Sequence, residues 1–523
     1  MSVPVETMIR THLQTNDAVQ ETVEWVEIVA RLETEPVQIV GPVVSPVELR
    51  QRRWRPIAVA VAVLVVLVGG MALAFQVTEP ETPVVGTVVP PTLTEPPPTN
   101  VAPTTLPGTT PSTVAESESA PRLWCEEVPQ GWVPVCDAAT FDGSVMNAVT
   151  AGGPGLVAVG GECCVRGGVL DADAVVWTSP DGFTWSRVPN DKAVFGGDGN
   201  QQMFDVAVGG PGLVAVGRDG LAVDGEGHAA VWTSPDGLTW TRVPHDEAVF
   251  GGPGEQRMLS VTVGGPGLVA VGFDGRPGDQ QVDASVWTSP DGLTWSRVPH
   301  DEAVFGGDSR QMMESVTVGG PGLVAVGSDG HHNADGRIDE SAADAAAWTS
   351  PDGLTWSRVP HDEAVFGGPG EQAMASVTVG GPGLVAVGFV SESFDGLYVL
   401  SDAAVWTSPD GLTWSRVPDD KAVFSTSGAS GDQNEAMASV TAGGPGLVAV
   451  GFDSYEDCEF DSAVWTSPDG LTWSRVPDER GCDGALGPDG QYDYMNSVTV
   501  GPSGLVAVGS ESGRLSSAAV WNG

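Results

Sequence analysis

Between residues 122 and 523 the apolar residues fall in runs of only a few positions, each closed by glycine or proline. In one stretch Ser260–Val263 alternates polar and β-branched residues, and Gly264-Gly265-Pro266-Gly267 turns the chain. Leu268–Val271 is apolar on both faces, and a polar loop then leads to Ser285–Thr288. Pro290-Asp291-Gly292 turns the chain again into Thr294–Val298, where large residues alternate with small ones. Period-two alternation bounded by turn residues predicts four short strands, with the continuous apolar run buried on both sides and the last strand half-solvated.

The unit repeats roughly every 60 residues, a period that indicates a repeat architecture. The phrase Gly-Leu-Val-Ala-Val-Gly occurs with its leucine at Leu156, Leu213, Leu268, Leu323, Leu384, Leu447 and Leu505. The phrase Trp-Thr-Ser-Pro-Asp-Gly occurs with its tryptophan at Trp177, Trp232, Trp287, Trp348, Trp406 and Trp465. The first phrase has one copy more than the second. Trp521 ends the chain where a seventh copy would start, while Trp124 and Trp132 keep a degenerate form of its tryptophan spacing near the other end. A solenoid would need distinct capping repeats. A repeat divided between the two ends instead predicts an all-β, seven-bladed β-propeller whose last blade is closed by the N-terminal strand.

At Ser289-Pro290-Asp291-Gly292-Leu293-Thr294-Trp295 the chain resembles the Asp-box, or BNR, repeat of the sialidase-like superfamily, with one residue fewer than usual between Asp and Gly. The resemblance implies that the box is the turn between the third and fourth strands of a blade. Asp181, Asp236, Asp291, Asp352, Asp410 and Asp469 would then be structural acceptors for turn N–H groups, with ligand or Ca²⁺ contact as the alternative. It also implies a test for catalysis, since sialidases converge three arginines on a substrate carboxylate and use a Tyr–Glu nucleophile pair with an Asp acid/base. Arg187, Arg242, Arg297, Arg358, Arg416 and Arg475 belong to the outer strands and do not converge. Arg257 and Arg310 precede inner-strand methionines, joined by Glu314, Asp205 and Tyr494, but no third inner arginine is evident.

Ahead of the propeller the chain changes character. Ile57 to Phe75 carries no charge, follows Arg50, Arg52, Arg53 and Arg55, and precedes a stretch without a basic residue until Arg122. Hydropathy and the positive-inside rule predict one transmembrane helix over 57–75, a cytoplasmic tail over 1–56 and an extracytoplasmic propeller at the plasma membrane. Residues 76–121, rich in Pro and Thr, predict an extended stalk.

Composition narrows the partners. The formal net charge is −45, with Lys192 and Lys421 the only lysines, so no basic surface exists for nucleic acid. The six cysteines, Cys125, Cys136, Cys163, Cys164, Cys458 and Cys482, belong to the first, sixth and divided repeats, which a ring makes neighbours. Disulfides bracing the closure are the expectation, with connectivity open. Asn333, Asp335 and Asp339 resemble part of a Ca²⁺ loop that lacks its closing carboxylate. Met146, Met203, Met258, Met313, Met374, Met437 and Met495 stand in register on the inner strands, suited to filling gaps between them. His245, His300 and His361 recur in His-Asp-Glu-Ala-Val-Phe loops read as solvated.

These observations lead to the expectation of a membrane-anchored, non-catalytic module binding a surface glycan or protein, without a resident cofactor. The alternatives are a divergent sialidase-like glycoside hydrolase and a transmembrane sensor.

Overall fold

The computed structural model describes residues 132–523, apart from 136–137, 142, 163–171, 198, 222–225, 276–280, 308–309, 333–337, 369, 395–397, 426–433, 445, 456–457, 478–491 and 513–516. Seven four-stranded antiparallel blades follow one another, built as the repeat predicts. Blade 3, for example, is Gln256–Gly264, Gly267–Gly275, Val282–Ser289 and Ser296–Arg297 in spatial order.

The inner strands are Ser144–Gly152, Gln202–Gly209, Gln256–Gly264, Gln311–Gly319, Gln372–Gly380, Ala436–Gly443 and Tyr492–Gly501. Each meets its counterpart in both neighbouring blades, the seventh against the first, so the ring closes. The seventh blade takes its outer strand from the other end of the domain. Val133 pairs with Asn522 and Pro134 with Trp521. The Val135 N–H donates to the Val520 carbonyl at 2.8 Å, as Val298 does to Val286 in blade 3.

Apolar cores lie between blades. Val269, Val271 and Val286 of blade 3 pack with Met313, Val316, Trp348 and Trp356 of blade 4. All seven register methionines are buried in such seams. Two polar devices recur at most of the seams among the described residues. The third-strand tryptophan donates its indole N–H to the connector of the preceding blade, as Trp287 Nε1 does to Val249 O at 2.7 Å and Trp406 Nε1 to Val365 O at 2.8 Å. Near the axis an inner-strand serine accepts an N–H from the next blade, as Ser260 Oγ does from Val316 at 3.3 Å and Ser315 Oγ from Val377 at 3.2 Å.

The six Ser-Pro-Asp-Gly turns are built alike. Asp291 Oδ1 accepts the N–H groups of Leu293 at 2.9 Å and Thr294 at 2.7 Å. Ser289 Oγ accepts the Gly292 N–H, and Trp295 Nε1 donates to the Gly292 carbonyl. Gly292 has φ +77°, which glycine alone adopts without strain. The aspartate here is a turn acceptor in solvent, placed to bond its own backbone.

Several expectations are corrected. Among the described residues no helix is long and apolar enough to cross a membrane. The helices there are single turns, Ala138–Phe141, Glu247–Phe250 and Lys421–Phe424, and the apolar runs are short strands buried between blades rather than the ~20 residues a crossing requires. The span at 57–75, the tail 1–56 and the stalk 76–121 lie outside the described residues. The single-pass anchor, the membrane as partner and the plasma-membrane topology are thus unsupported by any helix of the described residues. No disulfide is present among the described residues. Cys125, Cys136, Cys163, Cys164 and Cys482 lie outside them, and Cys458 is described only in its backbone. What fastens the closure in the structure is the pairing of Val133–Pro134 with the C-terminal strand.

The turn aspartates carry a pH signature. The N–H groups of the residues three and two positions on hold each carboxyl below the usual range. A depressed folded-state pKa contributes stability that is complete above the unfolded value and lost as pH falls through the folded one. The contribution of these six groups to the urea midpoint is therefore expected to be constant near neutrality and to be lost below about pH 4. Changing the six aspartates to asparagine should flatten that acid decline. An unchanged decline would place the effect elsewhere.

Candidate active site

The sequence feature that builds the site is a bulge in each inner strand. Pairing with the second strand slips by one residue after the register methionine, between Met258 and Ser260 in blade 3 and between Met313 and Ser315 in blade 4. A bulge leaves one residue outside the ladder and re-aims its side chain. The glycine opposite makes room for it: a Cβ on Gly327 would lie 2.0 Å from the Met312 carbonyl oxygen. Around the ring the bulge residues are Asn147, Phe204, Leu259, Glu314, Ala375, Ala438 and Asn496, and Glu314 alone is ionisable. Asn147 and Asn496 bridge to the adjacent inner strand, donating to Met203 O at 2.7 Å and Met146 O at 2.9 Å.

Glu314 sits among charges contributed by neighbouring blades. Burial pushes its carboxyl up to about 7, with Glu371 adding to the effect and Arg257 and Arg310 opposing it. Glu371 is itself raised by burial and held back by Arg310. Beside Arg257, Glu255 Oε1 accepts from Arg257 Nε at 2.7 Å and from Arg218 Nη1 at 3.1 Å, so one carboxylate holds two guanidinium groups together. Burial, and then repulsion from Arg257, lower the Arg218 pKa. The Arg257 guanidinium also lies 5.5 Å from the Phe273 ring centre and 5.8 Å from that of Phe204, within cation–π range. The charged residues Arg218, Glu255, Arg257, Arg310, Glu314 and Glu371 thus converge from blades 2 to 5.

Of the residues singled out in the sequence, Arg257, Arg310 and Glu314 come together here. Arg218 is the inner arginine that was not evident. It stands within the second strand of blade 2, Gly212–Leu221, where blades 3 and 4 carry Phe273 and Ser328, and only that departure from the repeat marked it.

Asp205 and Tyr494 do not join the group. Asp205 occupies the position of the seam serine: Oδ2 accepts from Val261 N–H at 2.8 Å and from Ser260 Oγ at 3.0 Å, while Oδ1 accepts the Val206 N–H at 2.7 Å. The preceding blade has Ala148 at its serine position, so Val206 has no hydroxyl to receive it, and the second carboxylate oxygen of Asp205 does so. Burial raises the Asp205 pKa against these hydrogen bonds. Tyr494 belongs to blade 7, and its ring packs edge-on against Phe452 at 5.2 Å. The outer arginines stack on the buried tryptophans, Arg297 over Trp287 at 5.4 Å and Arg358 over Trp348 at 5.5 Å. Asn333 and Asp335 lie outside the described residues, and Asp339 is described only in its backbone.

A neutral-range carboxyl gathered with a second carboxylate and three arginines is the kind of grouping in which proton transfer is carried out. The expectation of a non-catalytic scaffold is corrected accordingly.

No family model and no curated protein matches the chain. Solved structures related in shape include an α-L-arabinofuranosidase of Fusarium graminearum, at 13% identity over 74% of this chain and 97% of that one, TM-score 0.37. Trypanosoma rangeli sialidase is similar at 12% identity over 75% and 57%, TM-score 0.37. Sqt1 of Chaetomium thermophilum is similar at 11% identity over 73% and 88%, TM-score 0.37. At these values the likeness is one of propeller shape and assigns no activity.

Two stability measurements follow from this geometry. Asp205→Ala removes the acceptor for two backbone N–H groups and should cost about 3 kcal/mol in urea unfolding at pH 7. Asp205→Ser, which restores the common serine but not the second acceptor, should cost roughly half as much. For Glu314 the folded-state pKa is raised, so ionising it disfavours the folded state. Stability should fall by about 3 kcal/mol between pH 4.5 and 7 and then level off. Glu314→Gln should remove that decline. Equal pH profiles for the two proteins would show that Glu314 titrates normally.

Proposed function

We propose that the mouth of the ring over blades 2 to 5 is the active site of a glycoside hydrolase that takes a sugar bearing a negative charge, in a propeller whose turns resemble Asp-boxes. The observation that carries this reading is Glu314, a carboxyl with a pKa of about 7 set among Arg257, Arg310 and Glu371.

A carboxyl with that pKa is still substantially protonated near neutrality and suits general-acid catalysis. Glu314 donates its proton to the glycosidic oxygen as the bond to the anomeric carbon breaks, and the aglycone leaves as a neutral alcohol. Glu371 is the second carboxylate such hydrolysis uses, either on water or on the anomeric carbon. Arg310 beside it favours the ionised form that either role needs. Arg218 and Arg257, held by Glu255, supply fixed positive charge for an anionic substituent, and guanidinium suits planar carboxylate recognition. Phe204 and Phe273 offer apolar faces next to them. The mechanism does not use Tyr494, which sits against Phe452, or Asp205, whose carboxylate oxygens hold the seam.

The test is hydrolysis of fluorogenic sialosides and glucuronides by the purified chain, with a neutral arabinofuranoside as control. An anionic glycoside is expected to be cleaved preferentially, with kcat/KM falling as pH rises through about 7. Glu314→Gln should lower kcat by roughly 10²- to 10⁴-fold with KM little changed. Arg257→Ala should instead raise KM for the anionic substrate alone. No turnover of any of these glycosides, or full activity in Glu314→Gln, would sink the reading.

A further inference from the structure

The connectors between blades carry a second chemistry, on the periphery of the ring. In blade 1 Asp173, on the third strand side, receives Lys192 Nζ from the connector at 2.6 Å. In blade 5 Asp402 receives Lys421 in the same way. Each connector thus supplies a cation to its third-strand carboxylate.

Blades 2, 3 and 4 carry glutamate at the lysine position: Glu247, Glu302 and Glu363. Two positions earlier in the chain they carry a histidine, His245, His300 and His361. In blade 3 His300 Nε2 lies 3.1 Å from Glu302 Oε2 and 3.9 Å from Asp283 Oδ2. In blade 4 His361 Nε2 lies 3.2 Å from Glu363 Oε2 and 3.7 Å from Asp344 Oδ2. Blade 2 differs once more, with His228 in place of the third-strand aspartate. There His245 Nε2 is 3.1 Å from Glu247 Oε2, and the two imidazole rings stand 4.9 Å apart. The Nδ1 of His228 is enclosed with no hydrogen-bond partner among the described residues.

In each of the three blades one ligand atom from each member lies within 4.8 Å of the others. Ligands at about 2.0 Å in a tetrahedral zinc site are roughly 3.3 Å apart, so a small inward movement of exposed side chains completes the set. Two imidazoles and a carboxylate are a borderline-soft donor set that suits Zn²⁺ better than Ca²⁺ or Mg²⁺.

We propose that His228, His245 and Glu247 bind a divalent transition-metal ion of the Zn²⁺ class, in the place that lysine fills in blades 1 and 5. Asp283–His300–Glu302 and Asp344–His361–Glu363 are weaker sites of the same kind, because each has one imidazole fewer. The ion links the third strand of a blade to its outgoing connector, which is the segment that receives the next blade's tryptophan.

The experiment is a Zn²⁺ titration of the chelator-treated full chain by calorimetry, with thermal unfolding followed in parallel. Zn²⁺ should bind at one tighter and two weaker sites and raise the unfolding temperature. His228→Ala or His245→Ala should weaken the tighter site by roughly two orders of magnitude, at least the loss that follows disturbing a metal ligand's support. Glu302→Lys installs the lysine that blades 1 and 5 carry, so the protein should remain folded and lose one weaker site. Ca²⁺ at the same concentration should not compete. Binding no tighter than about 1 mM, or Zn²⁺ binding unchanged in both histidine variants, would overturn the proposal.

Discussion

The ring depends on the hydrogen bond that crosses each seam from a buried third-strand tryptophan to the carbonyl of the preceding connector. A four-stranded blade is too small to bury both faces alone, so every apolar contact that counts is made with a neighbour. Dispersion and apolar burial hold neighbours together without fixing how they are turned relative to one another. The indole N–H supplies that direction. Trp232, Trp287, Trp348, Trp406 and Trp465 each reach a valine carbonyl at 2.7–2.8 Å. Leaving a buried indole N–H unpaired would cost about 1–3 kcal/mol at each seam. Trp177 makes the same bond to the Thr140 carbonyl at 3.1 Å, in the connector that follows the Val133–Pro134 strand of blade 7. The closure is therefore made with the bond that recurs at the five seams from Trp232 to Trp465, with strand pairing added.

That regularity is what allows irregularity near the axis. Because seam bonds, turn aspartates and outer arginines already fix blades 2 to 6, the bulge residue after the methionine is free to vary there, while Asn147 and Asn496 bridge the inner strands beside the closure. Alanine serves there in blades 5 and 6, while blade 4 carries Glu314. An ionisable group in that position is unfavourable for stability, as its raised pKa records. The surrounding frame offsets that cost, and the same burial keeps the Glu314 carboxyl partly protonated near neutral pH.

The seven blades, their four strands and the division of the last blade between the chain ends were legible because they rest on period, glycine placement and the count of two repeated phrases. The gathering of Arg257, Arg310 and Glu314 was legible for the same reason, since register relative to the methionine locates a residue near the axis. Arg218 was not, because it sits on the second strand, and only the pairing of Gln202 with Arg218 brings it beside the inner strand. Asp205 carried the opposite error: an acid near the axis reads as chemistry, yet its oxygens replace a serine of its own blade and a hydroxyl that Ala148 lacks. The anchor was read from hydropathy and flanking arginines over 57–75, residues that lie outside those the structure describes.

In a chain of near-identical repeats the informative positions are those where one blade departs from the others, and the departures are of two physical kinds. Some preserve an interaction by other means, as Asp205 does for the seam or Lys421 for the aspartate of its blade. Others leave a group without the partner its counterparts enjoy. Among the described residues Glu314 has no hydrogen-bond partner such as the Met203 carbonyl that Asn147 meets at its own bulge, and a histidine faces His245 where an aspartate faces His300. Compensated departures are accommodations of the fold. The uncompensated ones persist in a structure that could satisfy them with the residues its own repeats already carry, and it is on them that the proposed active site and metal site rest.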